Sequence, residues 1–256
     1  MIAMTNLGNQ LRAALYLASR DAYVKGALVL PALFVGYLAW GMLASGGYAY
    51  ADFRTVYLSV VGSGAVFGTC FATLGAASHD FAALGLRSSV TAEGGRAGYV
   101  TSRVIRAGVL AALLAVWSAL IGLVCLLIPG VTVARGTEPA ALALALVVRA
   151  LVGWSFAVIA LALVRRPHGM GVVLVASYLV SSGVLGYVLE ILLTLVSALL
   201  GLDVTSQGIQ LLLSPFKLAL LLRELPLGPV HALLLPVAYL ALAAWLLGCR
   251  MRRESL

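Results

Sequence analysis

ALALALVVRALVGWSFAVIALALV, residues 141–164, is the stretch on which the fold turns, since its 24 residues carry a single charge, Arg149. As an α-helix rising about 1.5 Å per residue, it is long enough to cross roughly 30 Å of hydrocarbon. Lipid offers no partners for backbone N–H and C=O groups, and a helix satisfies them within the segment. Residues 26–44, 55–77, 108–128, 171–189 and 230–247 repeat the pattern, which predicts six transmembrane helices. The whole 256-residue chain agrees, being 62% hydrophobic and 10% charged with a mean hydropathy of +1.07. Soluble domains carry roughly 25% charged residues. The expected fold class is therefore an all-α polytopic membrane protein, a single transmembrane domain over residues 1–256.

Working outward, residues 5–25 place Leu7, Leu11, Leu15, Ala18 and Ala22 on one helical stripe, with Asn9, Arg12, Ser19 and Arg20 largely elsewhere. This predicts an N-terminal interfacial amphipathic helix. The run after it ends in Ala44, Ser45 and Gly46, but lead and run are both too long for a signal peptide, so an uncleaved first span is expected. Between the fifth and sixth runs, residues 190–229 hold two apolar stretches, 191–202 and 209–222, broken by Asp203, Gln207 and Gly208. Pro215, Pro226, Gly228 and Pro229 limit their extension. Extracellular re-entrant helices are expected there, the alternative being a further crossing pair and eight spans.

The net charge of +8 comes from 15 Arg and two Lys. Arg12, Arg20, Lys25, Arg87, Arg96, Arg103, Arg106, Arg165, Arg166, Arg250, Arg252 and Arg253, 12 of the 17, fall on one side of the predicted spans. The positive-inside rule makes that side cytoplasmic, with both termini there. Such a basic total points to anionic lipid and cytoplasmic loops, not to nucleic acid.

One sizeable polar interruption stands out, HDFAALGLRSSVTAEGGRAGYVTSRVIR at residues 79–106. Phe81, Leu84 and Leu86 supply an apolar face, Asp80, Arg87, Ser88, Ser89 and Glu93 a polar one, and Gly94-Gly95 ends the pattern. A short amphipathic helix parallel to the membrane is expected, longer than a mere connection between neighbours requires. Its predicted role is to dock a partner, while Arg96, Arg103 and Arg106 anchor the start of the third span in headgroups or at a gate.

Elsewhere, chemistry-bearing residues are sparse. A phosphate-binding loop needs a lysine between Gly and Ser or Thr, and the two lysines stand in Val24-Lys25-Gly26 and Phe216-Lys217-Leu218. The chain is therefore not expected to hydrolyse ATP itself. Cys70, Cys125 and Cys249 show no C-x-x-C spacing, and His79, His168 and His231 form no i, i+3 or i, i+4 pair, so no metal site is expected. Gly62-Ser63-Gly64 resembles the nucleophile segment of rhomboid intramembrane proteases, with His231 as an imaginable base. Val61 stands where that family has Gly, however, and its other His and Asn partners are missing. Gly62, Gly64 and Gly68 are read instead as letting helices approach closely. Arg149, inside the fourth span, is expected to face protein, water or a headgroup: a pathway residue, a partner for Glu190, or a snorkelling side chain. Tyr37, Trp40, Tyr48, Tyr50 and Tyr57 read as an aromatic belt.

This layout resembles the membrane subunits of type-2 ABC exporters, in which an interfacial helix precedes six spans and a coupling helix lies between spans two and three. Locally the loop is similar to bacitracin- and lantibiotic-type permeases at Asp80, Gly85, Arg87, Gly95-Arg96 and Arg103, with Gly95 and Arg103 replacing a common Ser and Lys and one residue missing between Gly85 and Arg96. The broken apolar stretches after span five also resemble that family's extracellular re-entrant pair.

The resemblance implies a permease of the bacterial inner membrane, with no catalytic residues and no cofactor of its own. Asp80, Phe81, Leu84, Gly85, Leu86, Arg87 and Glu93 would dock an ABC ATPase subunit, present in two copies, which carries the ATP and Mg. A second permease copy, identical or related, would complete a pathway walled by spans one, two and five. A hydrophobic or amphipathic compound, a peptide antibiotic or drug first, is the expected cargo. The alternatives are a lipid-linked glycan exporter, a rhomboid-like protease acting through Ser63, or a non-transporting membrane subunit.

Overall fold

A computed structural model describes residues 19–44, 51–81, 95–133, 138–164, 169–182, 184–200 and 229–253, with isolated positions 8, 12, 15, 16, 90 and 93. Among them, five helices are long and apolar enough to cross a membrane. α1 is Ala22–Ala44. The second crossing comprises α2, Phe53–Gly62, a π-helical segment, Ser63–Gly68, and α3, Thr69–Phe81. α4 is Arg96–Val124, α5 Pro139–Leu163 and α8 Pro229–Arg253. Two shorter apolar helices, α6, Gly169–Ser181, and α7, Val184–Leu199, stand between α5 and α8.

Three expected boundaries moved. The fifth run was expected as one span but parts at Ser182 into α6 and α7, and in α6 the Ser177 and Ser181 hydroxyls donate back to the carbonyls of Val173 and Ser177. Such back-bonding loosens the last turn of a helix. α7 therefore starts before residue 190, where the first re-entrant stretch was placed, and residues 201–228 lie outside the described positions. The expected interfacial helix is interrupted at Asp21, so residues 22–25 open α1. Asp21 accepts from the Tyr23 backbone N–H at 2.8 Å, the geometry of a helix cap. α4 begins at Arg96 and not at Gly108, so residues counted as loop are helical.

The second crossing is the hub. In its most apolar stretch 89% of residues are buried inside the protein, against 17% for α1. α1, α4, α5 and α6 all pack around it, and α8 lies outside on α5 and α4. Small residues make this possible. A Cβ on Gly153 of α5 would overlap the backbone carbonyl of Ala65, one on Gly64 would overlap Ser118 of α4, and one on Gly75 would enter the Tyr23 ring. On the outer flank of the hub, Trp154 fills the notch at Gly108 and donates its indole N–H to the Val104 carbonyl at 2.8 Å.

Neighbouring helices run up and down. At one end, Ala51–Asp52 and Val131–Thr132 pair as a minimal parallel bridge between the loops before α2 and after α4. The other end gathers the start of α1, the end of α3, the start of α4 and the ends of α5 and α8. Among the described residues Arg96, Arg103, Arg106, Arg250, Arg252 and Arg253 lie here, and it is called the basic end below.

Candidate functional site

The basic end is tied together by charge and by backbone contacts. Arg106 of α4 reaches Asp21 at 3.5 Å, with both side chains at most 12% exposed. Because Asp21 also caps α1, this pair joins two spans at their ends. Arg103 pairs with Glu93 at 3.9 Å and lies over the Tyr99 ring, 4.9 Å from its centroid. Arg96 donates to the Arg252 carbonyl of α8 at 3.0 Å. Arg250 of α8 donates to the carbonyls of Leu161, Ala162 and Val164 at 2.9–3.0 Å. A cation there satisfies acceptors that a helix C-terminus leaves open and complements its negative dipole end.

The segment between α3 and α4 is fastened to this assembly at its distal end. Val90 is buried against Tyr99 of α4 and Met251 of α8, and its carbonyl accepts from the Gly95 N–H at 2.8 Å. Gly95 then opens α4 with φ of 104°, a conformation glycine adopts without strain. Gly98 lets the Glu93 carbonyl lie where a Cβ would otherwise be.

Of the residues assigned to docking, Asp80 and Phe81 end α3, Glu93 is in place beside Arg103, and Leu84, Gly85, Leu86 and Arg87 lie outside the described residues. Of the three arginines expected to anchor in headgroups or at a gate, Arg103 lies beside Glu93, Arg106 beside Asp21, and Arg96 donates to the Arg252 carbonyl. Asp21 and Tyr23 had no predicted role, and Arg250 was expected only as one of the cations on the cytoplasmic side. The signal for Asp21 was present: an acid immediately before an apolar run, on the side where the cations gather.

Arg149 lies in the eleventh position of α5, about 15 Å along the helix from its first residue. It is 5% exposed, so it faces protein and not lipid. Glu190 stands on α7, which packs on α6.

The protease-like segment is also placed. Ser63 donates its hydroxyl to the Val60 carbonyl at 2.9 Å, within its own helix, and His231 is exposed in the first turn of α8, whose packing partners are α5 and α4. Ser63→Ala is expected to leave stability within about 0.5 kcal/mol, since the half-buried hydroxyl has only a local bond to lose. A melting temperature in detergent measures it. Gly64 serves close packing as expected, whereas a Cβ on Gly68 would meet the Ala27 carbonyl, which Pro31 leaves without its helical donor, at an ordinary 3.6 Å. Tyr37 and Trp40 are over 70% exposed, as belt residues should be, but Tyr57 is buried in the core beside Phe53. Cys70 and Cys125 are buried and Cys249 is half-buried, all three as free thiols. Among the described residues no three His, Cys, Asp or Glu side chains gather as metal ligands.

No family model, curated protein or solved structure matches this chain. It is a polytopic, all-α membrane protein.

Proposed function

We propose that the chain is the permease subunit of an ATP-driven exporter, with a separate ATPase docking on the segment between α3 and α4. The observation that carries this reading is the fastening of that segment. Val90, Glu93 and Gly95 connect it to α4 and α8, and the Arg106–Asp21 pair connects α4 to α1. A push on the segment is thereby delivered to three spans at once. By the arginine distribution the basic end is cytoplasmic, where an ATPase would sit.

The second crossing, expected on the pathway wall, is enclosed by its own chain. The apolar, exposed faces of α1 and α6 are the ones left to line a path with a second permease copy. Few ionisable residues lie within the spans, which disfavours a proton relay and suits a hydrophobic or amphipathic cargo such as a peptide antibiotic or drug.

The test is co-purification of the tagged full-length chain from its native host. An ABC ATPase is expected to accompany it and to be lost when Leu84 and Leu86 are both replaced by Asp, with membrane insertion unchanged. An ATPase retained by that variant, or none with the parent chain, overturns the proposal.

A further inference from the structure

A cavity of about 510 Å³ opens at the basic end between the last turn of α5 and one face of α8. Ala162 and Leu163 form one wall, and Trp245, Leu246, Cys249, Arg250 and Arg253 the other. On α8 those positions follow helical spacing, so they form a strip about 12 Å long from Trp245 to Arg253. The strip is apolar toward the middle of the span and cationic at its end. Arg250 is committed to the α5 carbonyls, where it also neutralises the negative end of that helix. Arg253 is exposed and makes no hydrogen bond or ion pair among the described residues.

We infer that this cavity is a binding site for an anionic phospholipid, with the headgroup phosphate on Arg253 and an acyl chain against Leu163, Trp245 and Leu246. The polarity gradient matches a lipid, apolar where the tail would lie and basic where the phosphate would lie, and basic pockets between helices on the cytoplasmic side take such headgroups. Trp245, 63% exposed, presents its indole on the apolar part of the strip, open to an acyl chain. The site is separate from the proposed docking segment, and its leaflet follows from the arginine distribution alone.

Native mass spectrometry of the full chain, released from nanodiscs of equal phosphatidylglycerol and phosphatidylcholine, tests it. Retained phosphatidylglycerol is expected in preference to phosphatidylcholine, and Arg253→Gln is expected to weaken retention about fivefold. Arg252→Gln removes the same charge from a position outside the cavity and is expected to change nothing. A second readout is alkylation of Cys249, whose rate phosphatidylglycerol should slow in the parent chain and not in Arg253→Gln. Equal retention of the two lipids, or equal effects of the two substitutions, overturns the inference. So does full displacement by equimolar inorganic phosphate, which would assign the site to a small anion.

Discussion

Gly153→Ala is expected to destabilise the protein by about 3 kcal/mol, at the upper end of what overpacking a core costs. The added methyl would overlap the backbone carbonyl of Ala65 in the π-helical segment, and a backbone cannot rotate aside as a side chain does. α5 must then move off the second crossing, which loosens the contacts of Val152, Phe156 and Ala157 in the largest core cluster. Unfolding of the purified full chain in mixed detergent measures the loss. Gly36→Ala in α1 is the control, since its Cβ would meet nothing within 4 Å, and its effect should stay within about 1 kcal/mol. Equal effects at the two positions would falsify the close contact between α5 and the hub.

The second large effect is expected at Asp21. Its replacement by alanine removes the Arg106–Asp21 pair from a mostly buried position, and breaking such a pair costs about 3 kcal/mol. The same change removes the cap on α1, worth about 1 kcal/mol. Asp21→Asn keeps the capping oxygen and loses only the charge, so the difference between the two variants isolates the cap. A double-mutant cycle with Arg106→Gln measures the pair itself. If the cycle returns no coupling, the Arg106–Asp21 pair is not what joins α1 to α4. Neither variant should lose insertion, because the apolar spans are untouched.

The apolar runs and the arginine bias were legible along the chain because each is a local property of composition and length. Residues 141–164 announce a crossing with no knowledge of their neighbours, and α5 occupies nearly those bounds. The basic end was legible in the same way, since those expected cations that are among the described residues, Arg96, Arg103, Arg106 and Arg250 among them, gather at one end of the bundle.

Partnership was not legible. The acidic neighbours of Arg103 and Arg106, read as anchors in headgroups or at a gate, were not foreseen because a sequence shows the cation and not the acid it will meet, and Asp21 lies 85 positions from Arg106. The fifth run read as one span because its hydropathy is continuous, while its helix parts at Ser182. Tyr57 read as a belt residue by position and is buried by packing.

By itself the sequence determined that this is a helical membrane protein, roughly where it crosses, and which end is basic, since burial in lipid depends on local apolar length. Only the tertiary structure decided that the second crossing is the hub, that Gly153 and Gly64 are contact points, and that the segment before α4 is fastened to α4 and α8. Those features depend on which surfaces fit one another across distant parts of the chain, and spacing along one helix carries no record of that fit.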